Sequence, residues 1–159
     1  GLYLKGPMFY EGVLRVPLII AGPGIPADHC IASPVSTIDL AATFLESAGL
    51  NNQSIQSRSL HPIILGQEQR DCAWSEWQVH PARLGVALEL RAVRTSNYSY
   101  TFEFGSGSGE LYDLQQDPQQ MINHFEDPEW REVRTQMHTL LLNRPGNIRS
   151  DLTEPVGIA

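Results

Sequence analysis

The feature that most constrains this chain is a seven-residue alternation, Tyr98-Ser99-Tyr100-Thr101-Phe102-Glu103-Phe104. A helix would spread the four rings around its circumference, whereas a strand sets all of them on one face. Aromatic and β-branched residues also favour a pleated, half-buried surface. A ring-lined face of this kind must be covered, and the neighbouring sequence supplies the parts. Residues 88–95 read as a second strand, and Thr95-Ser96-Asn97 is short enough to join the two as a hairpin. Gly105-Ser106-Gly107-Ser108-Gly109 reads as a flexible turn, and residues 110–114 return as a further strand. Residues 73–77 are a candidate fourth strand. Asp127-Pro128 has the form of an N-cap followed by proline at the first helical position. Trp130, Val133, Met137, Leu140 and Leu141 then make one apolar stripe, which Pro145-Gly146 ends. The second half is therefore expected to be a small antiparallel sheet whose aromatic face is covered by one helix, with residues 147–159 as a loose arm.

The first half has a different grammar. Residues 16–21 are apolar on both alternating faces and predict a fully buried strand, with Pro17 at its entry because it cannot donate to a ladder. Ser36 and Asp39 have capping-box spacing. Ile38, Ala41, Ala42, Leu45 and Ala48 recur at helical spacing, and Gly49 stands where a C-terminal cap belongs. Residues 50–70 read as a connector with one short turn of helix. Strand, loop and helix in this order indicate a layered α/β fold. The expected boundary falls between residues 1–70 and residues 71–159.

Composition removes some function classes. The 159 residues carry a formal net charge of −7, the opposite of the basic face a nucleic-acid partner requires. No apolar run approaches the ~20 residues of a membrane helix. The two cysteines, Cys30 and Cys72, form no C-x-x-C pair and are expected as free thiols, with a disulfide between them left open for a secreted protein. A targeting signal would precede Gly1, so the compartment stays open.

Few residues have a pattern that points to chemistry. None of the five histidines belongs to an H-E-x-x-H or Cys/His cluster, and G-x-S-x-G is absent. His80, close to Glu76 and Trp77, is the histidine placed to meet a polar substrate, although sheet-edge packing explains it as well. Asp113 and Asp117 lack the ligand pattern of a calcium loop, and Asp117 before Pro118 is expected to cap a turn. The glycine run precedes no helix and contains no base, so it is a poor phosphate cradle. Lys5 lies between Leu4 and Gly6-Pro7, on a loop feeding Tyr10-Glu11-Gly12. A compact, strongly hydrated ammonium there suits an anionic oxygen such as that of sulfate or phosphate.

Taken in order, several fragments resemble the C-terminal third of a sulfatase of the alkaline-phosphatase superfamily. They are Gly1-Leu2-Tyr3-Leu4-Lys5-Gly6-Pro7, Tyr10-Glu11-Gly12, Arg15-Val16-Pro17-Leu18-Ile19-Ile20, Gly22-Pro23-Gly24-Ile25 and Val35-Ser36-Thr37-Ile38-Asp39-Leu40. Arg91-Ala92-Val93-Arg94-Thr95, Glu110-Leu111-Tyr112-Asp113-Leu114, Asp117-Pro118 and Asn123 continue the match. The resemblance implies that residues 1–70 complete a large mixed-sheet catalytic domain and that the rest is the family's C-terminal subdomain.

It further implies a sulfuric ester hydrolase with a formylglycine nucleophile made from a C/S-x-P-x-R motif, and a calcium ion polarising the sulfate. A lysine matching Lys5 would contact the sulfate and stabilise charge on the leaving oxygen. Neither Cys30-Ile31-Ala32-Ser33 nor Cys72-Ala73-Trp74-Ser75 is C/S-x-P-x-R. The nucleophile and the calcium ligands are thus expected in a missing N-terminal part of the same protein, and the 159 residues alone are expected to be inactive. Lys5 is the expected catalytic and substrate-binding residue, with His80 as a second substrate contact. The expected partner is a sulfate ester, without nucleic acid or membrane, and a homo-oligomer is allowed. Two other readings stay open: a phosphodiesterase or phosphonate monoester hydrolase of the same superfamily, and a non-catalytic interaction module whose hairpin serves oligomer contacts.

Overall fold

The computed structural model describes residues 6–50, 57–79, 81 and 85–144. The chain divides into two compact units, Pro17–Ala73 and the pair Gly1–Val16 with Trp74–Ala159. The predicted tail arm lies outside the described residues.

The larger unit is built on a four-stranded sheet in the order β1 (Cys72–Val79), β2 (Leu88–Thr95), β3 (Tyr98–Glu103), β4 (Gly109–Asp113). β2 and β3 are antiparallel with Val93 opposite Tyr100, and β3 and β4 are antiparallel with Tyr100 opposite Leu111. Val93, Tyr100 and Leu111 are buried side by side in the centre of the sheet. The ring-bearing face is covered as the alternation requires. A 3-10 turn (Pro128–Trp130) leads into a helix, named α4 below (Arg131–Leu142), which buries Met137 and Leu141. Tyr98 meets Trp130 edge-on, Tyr100 stacks near Phe125, and the His138 ring stands edge-on to both Tyr100 and Phe102. The Tyr100 hydroxyl, pushed up to about 12 by burial, shares a 2.9 Å hydrogen bond with His138 Nδ1. Asp127 does not cap the helix with its side chain; it bonds His124 Nδ1 at 2.7 Å instead.

The glycine run is a hydrogen-bonded turn. The Glu103 carboxylate accepts the backbone N–H groups of Glu89, Gly105 and Ser106 at 3.0, 3.0 and 2.5 Å. Gly109 is required for close approach. A Cβ there would lie 2.3 Å from the Phe125 ring and 2.6 Å from the Thr101 carbonyl oxygen.

The polar face of the same sheet is buried too. Ser99, Thr101 and Glu103 are nearly inaccessible, although their chemistry alone suggests a wet surface. Beside this face runs the short helix α1 (Glu11–Leu14) with the residues that lead into it.

The smaller unit holds α2 (Asp39–Ser47) and the single turn α3 (His61–Ile64). Its core is Leu60, Ile63 and Ile64, with Ile20, Ile25, Val35 and Leu40 packed against them. Gly49, with φ +69°, ends α2 as expected, its neighbour Leu50 donating back to the Leu45 carbonyl at 2.8 Å. The buried face of α2 differs from the predicted stripe. Asp39, Ala42 and Thr43 point inward, while Ile38, Ala41 and Ala48 face out. A charged residue can occupy the inner face because Asp39 is fully engaged. Its carboxylate accepts the N–H groups of Ser36 and Arg58, both at 3.1 Å, and pairs with the buried Arg70 at 2.6 Å.

The strand expected over residues 16–21 is not formed. Val16 is 55% exposed and Ile19 92% exposed. The physical reason is the absence of a partner. Among the described residues no other backbone segment pairs with this run, Pro17 has no N–H to offer, and two apolar faces need cover on both sides.

Candidate functional site

Lys5 and His80, the two residues singled out from sequence, lie outside the described residues. The structure does describe residues close to each of them in sequence. Downstream of Lys5, the Met8 N–H donates to the Gly6 carbonyl at 2.8 Å, closing a tight turn at Gly6-Pro7. Phe9 follows and is buried, 4% exposed. Four-residue α1 comes next, with no side chain capping its N-terminus. So short a helix cannot hold itself together, so tertiary contacts must fix it.

Those contacts come from three parts of the larger unit. The Glu11 carboxylate receives Arg94 in a fork, Nε to Oε1 at 2.7 Å and Nη2 to Oε2 at 3.1 Å. Arg94 Nη1 donates in addition to the Thr95 carbonyl at 2.8 Å, which fixes the guanidinium plane. The Glu11 N–H donates to Gln120 Oε1 at 2.6 Å. The Tyr10 hydroxyl donates to Glu110 Oε1 at 3.0 Å, and its ring meets Tyr112 edge-on at 6.1 Å. Burial raises the Tyr10 hydroxyl above its ordinary range, and the Glu110 charge adds to this. Burial likewise raises Tyr112. Both phenols therefore stay protonated and able to donate at neutral pH.

The sheet explains why these groups converge. Arg94 is opposite Ser99 and Ser99 is opposite Tyr112, so the three form one row on the polar face. Gln120 is brought to α1 by a turn in which it adopts φ +56°. Asp117 caps that turn as expected, its Oδ2 accepting the N–H groups of Met121 at 2.6 Å and Ile122 at 2.8 Å. Gln120 did not stand out in the sequence, and Arg94 and Glu110 entered only as parts of matching fragments, without an assigned role. The usable signal was that Arg94 and Glu110 are charged residues on the strand face opposite the rings.

Near His80, Glu76 and Trp77 sit on β1, the edge strand. Glu76 pairs with Arg91 at 3.4 Å and with Arg144. It belongs to an ion-pair cluster that also contains Glu89, and the Arg91 guanidinium lies over the Phe104 ring.

The described carboxylates do not suit calcium. Asp113 Oδ1 accepts the N–H groups of Gln115 and Gln116, Asp117 holds its own turn, and Asp39 is committed to Arg70. Among the described residues no group of three or more His, Cys, Asp or Glu side chains could hold a metal ion. Cys30 and Cys72 are both free, and burial raises the Cys72 thiol. No helix among the described residues is long and apolar enough to cross a membrane.

Comparison with known proteins gives this geometry its context. The delta 4,5-hexuronate-2-O-sulfatase of Bacteroides thetaiotaomicron is 33% identical over 142 residues, covering 84% of this chain and 29% of that protein. The choline-sulfatase of Rhizobium meliloti is 32% identical over 133 residues, covering 80% and 24%. The solved structure of a 2-O GAG sulfatase superposes with a TM-score of 0.74 at 30% identity, covering 86% of this chain and 31% of that one. The chain thus spans less than a third of the length of these relatives. One family model, described as N-sulphoglucosamine sulphohydrolase, C-terminal, matches residues 1–145. From Gly1 through the end of α4, then, the chain belongs to the C-terminal region of the sulfatase family.

Proposed function

We propose that this chain is part of a sulfuric ester hydrolase and supplies Lys5 as the group that holds the sulfate anion. The observation that carries this reading is the family match over residues 1–145, whose start includes the Lys5 loop. The sulfatase relatives support sulfate over phosphate or phosphonate esters as the substrate class. The exposed Val16, Leu18 and Ile19 fit a run that needs covering backbone from elsewhere in a larger protein.

The chemistry asked of Lys5 is electrostatic. Sulfate ester cleavage moves negative charge onto the leaving oxygen, and an ammonium positioned there is stabilising chiefly in the transition state. The formylglycine nucleophile and the calcium ion belong, in this reading, to another part of the protein. The described residues of this chain do not fit a calcium site, and no step is routed through one. His80 is assigned to the substrate side, where it contacts the alcohol portion of the ester.

The test is made in the whole protein that carries this chain. Lys5→Ala is expected to lower kcat for an aryl sulfate by about 10²–10³, the usual cost of losing one charge-stabilising donor. His80→Ala is expected to raise KM with less effect on kcat. Phosphate and phosphonate esters assayed in parallel should turn over far more slowly than the sulfate. An unchanged kcat for Lys5→Ala, or preferred turnover of the phosphorus esters, would overturn the reading. Sulfatase turnover by the isolated 159 residues would overturn the assignment of the nucleophile and the calcium ion to another part of the protein.

A further inference from the structure

We infer that residues 8–15 form a strap that opens from the sheet of the larger unit separately from the rest of that unit, with the Arg94–Glu11 fork as its latch.

A segment opens separately when it carries little buried apolar surface and can leave without disturbing the packed core. Both conditions are met here. α1 buries none of its four residues and has no side-chain cap. Of the described residues from Gly6 to Val16, Phe9 alone is buried, and Gly12, Arg15 and Val16 are exposed. The centre of the sheet is the opposite case, with Val93, Tyr100 and Leu111 at most 1% exposed. Those three form one row on the ring face, under α4. The strap bonds the other face, where Arg94, Ser99 and Tyr112 form a row and Glu110 stands opposite Thr101. Its departure therefore leaves the core beneath α4 in place.

Three ties hold the strap, and they differ in strength. The Glu11 N–H to Gln120 bond joins two neutral groups, and the Tyr10 hydroxyl makes one bond to the Glu110 carboxylate. Arg94 and Glu11 make two charge-assisted bonds in one plane, at 2.7 and 3.1 Å. Their side chains are 27% and 15% exposed, so the pair is better shielded than an ordinary surface bridge. Arg94 also donates to the Thr95 carbonyl beside it on β2, which keeps the guanidinium in place when the strap leaves. The seat is thus preset on the sheet, and opening exchanges polar contacts for water.

Native-state amide exchange in the whole protein that carries this chain tests the inference. The strap reporters are the N–H groups of Val13 and Leu14, both bonded to the Tyr10 carbonyl, and of Arg15, bonded to that of Glu11. A peptide covering residues 8–16 is expected to exchange about a hundredfold faster than one covering residues 98–104. Arg94→Gln and Glu11→Gln should each speed the strap about tenfold, with the 98–104 rates moving less than about twofold. Combined, they should do no more than either alone, because they break the same latch. Tyr10→Phe keeps the ring against Tyr112 and loses one bond, so its effect is expected to be smaller.

A common rate for both peptides, raised equally by Arg94→Gln, would overturn the inference, because strap and sheet would then be one cooperative unit. Strap rates that Arg94→Gln leaves unmoved, or that Tyr10→Phe raises more, would overturn the latch. Should Arg94→Gln not fold, Arg94→Lys keeps the charge, loses the fork and runs the same comparison.

Discussion

The buried pair of Asp39 and Arg70 allows a prediction whose size can be worked out. Asp39 is 6% exposed and Arg70 7% exposed, so neither charge can recover its hydration if the other is removed. Arg70 Nη1 stands 2.6 Å from Asp39 Oδ2, while Nη2 donates to the Ser59 carbonyl at 3.1 Å. Breaking a buried pair by removing one partner costs about 3–5 kcal/mol, mostly because the remaining charge is left uncompensated. Here Glu68 lies 3.2 Å from Arg70 Nε and would still offset part of the charge. Asp39→Asn is therefore expected at the low end, about 3 kcal/mol.

The Asn amide oxygen still accepts one of the two backbone N–H groups held by the native carboxylate, so the loss is chiefly electrostatic. In urea, with m of about 1–3 kcal/mol/M, the unfolding midpoint of this region should drop by about 1–3 M. Adding Arg70→Met removes the stranded cation. The double variant should then cost at least about 1 kcal/mol less than the sum of the two single variants. Strict additivity, or a loss below about 1 kcal/mol for Asp39→Asn, would show that Asp39 only decorates the helix start.

Two further outcomes follow from the larger unit. Gly109→Ala sets a methyl against the Phe125 ring and the Thr101 carbonyl, and since one obstacle is backbone the strand itself must shift. A loss of about 2–3 kcal/mol is expected by thermal unfolding, with Phe125→Leu in the same chain recovering part of it; no change in Tm would refute the contact. Glu103 is held at about 2 by hydrogen bonds from Ser106 and the backbone of Glu89. Because its folded value is lowered, its contribution is complete above the unfolded carboxyl range near 4.5 and is lost as pH falls through about 2. With solvent screening at the turn allowed for, that contribution is about 1–2 kcal/mol. Glu103→Gln should be less stable than the native chain by that amount at neutral pH and equal to it near pH 2. A pH-independent difference would sink the assignment.

The legible parts of the fold were those that depend on local pattern. The ring alternation over 98–104 located β3, its face and its need for a cover, and β2 ran over the expected residues 88–95. The apolar stripe of α4 was likewise readable, down to the burial of Met137 and Leu141. What failed was each inference needing a distant partner. The inner face of α2 could not be read from periodicity, because Asp39 is buried only by virtue of Arg70 from beyond α3. The run at 16–21 has strand chemistry but no neighbouring backbone, and a strand is a property of a pair.

The candidate site follows the same logic in reverse. Tyr10, Glu11 and Gly12 were visible as a motif beside a lysine on a loop. The structure uses Tyr10 and Glu11 to shape that stretch, since each spends its polar atoms on the sheet, through Glu110, Gln120 and Arg94. A motif residue whose polar atoms are committed to its own fold is a weaker candidate for substrate contact. That argues for separating the roles along the opening stretch, with the anion-binding group proposed at Lys5 and the residues after Phe9 tied to the sheet. It also explains why the polar face of the sheet is buried. Ser99 and Thr101 lie where an exposed face was the simplest expectation, because the segment that leads away from Lys5 is laid across that part of the face, while Glu103 is enclosed by its own turn.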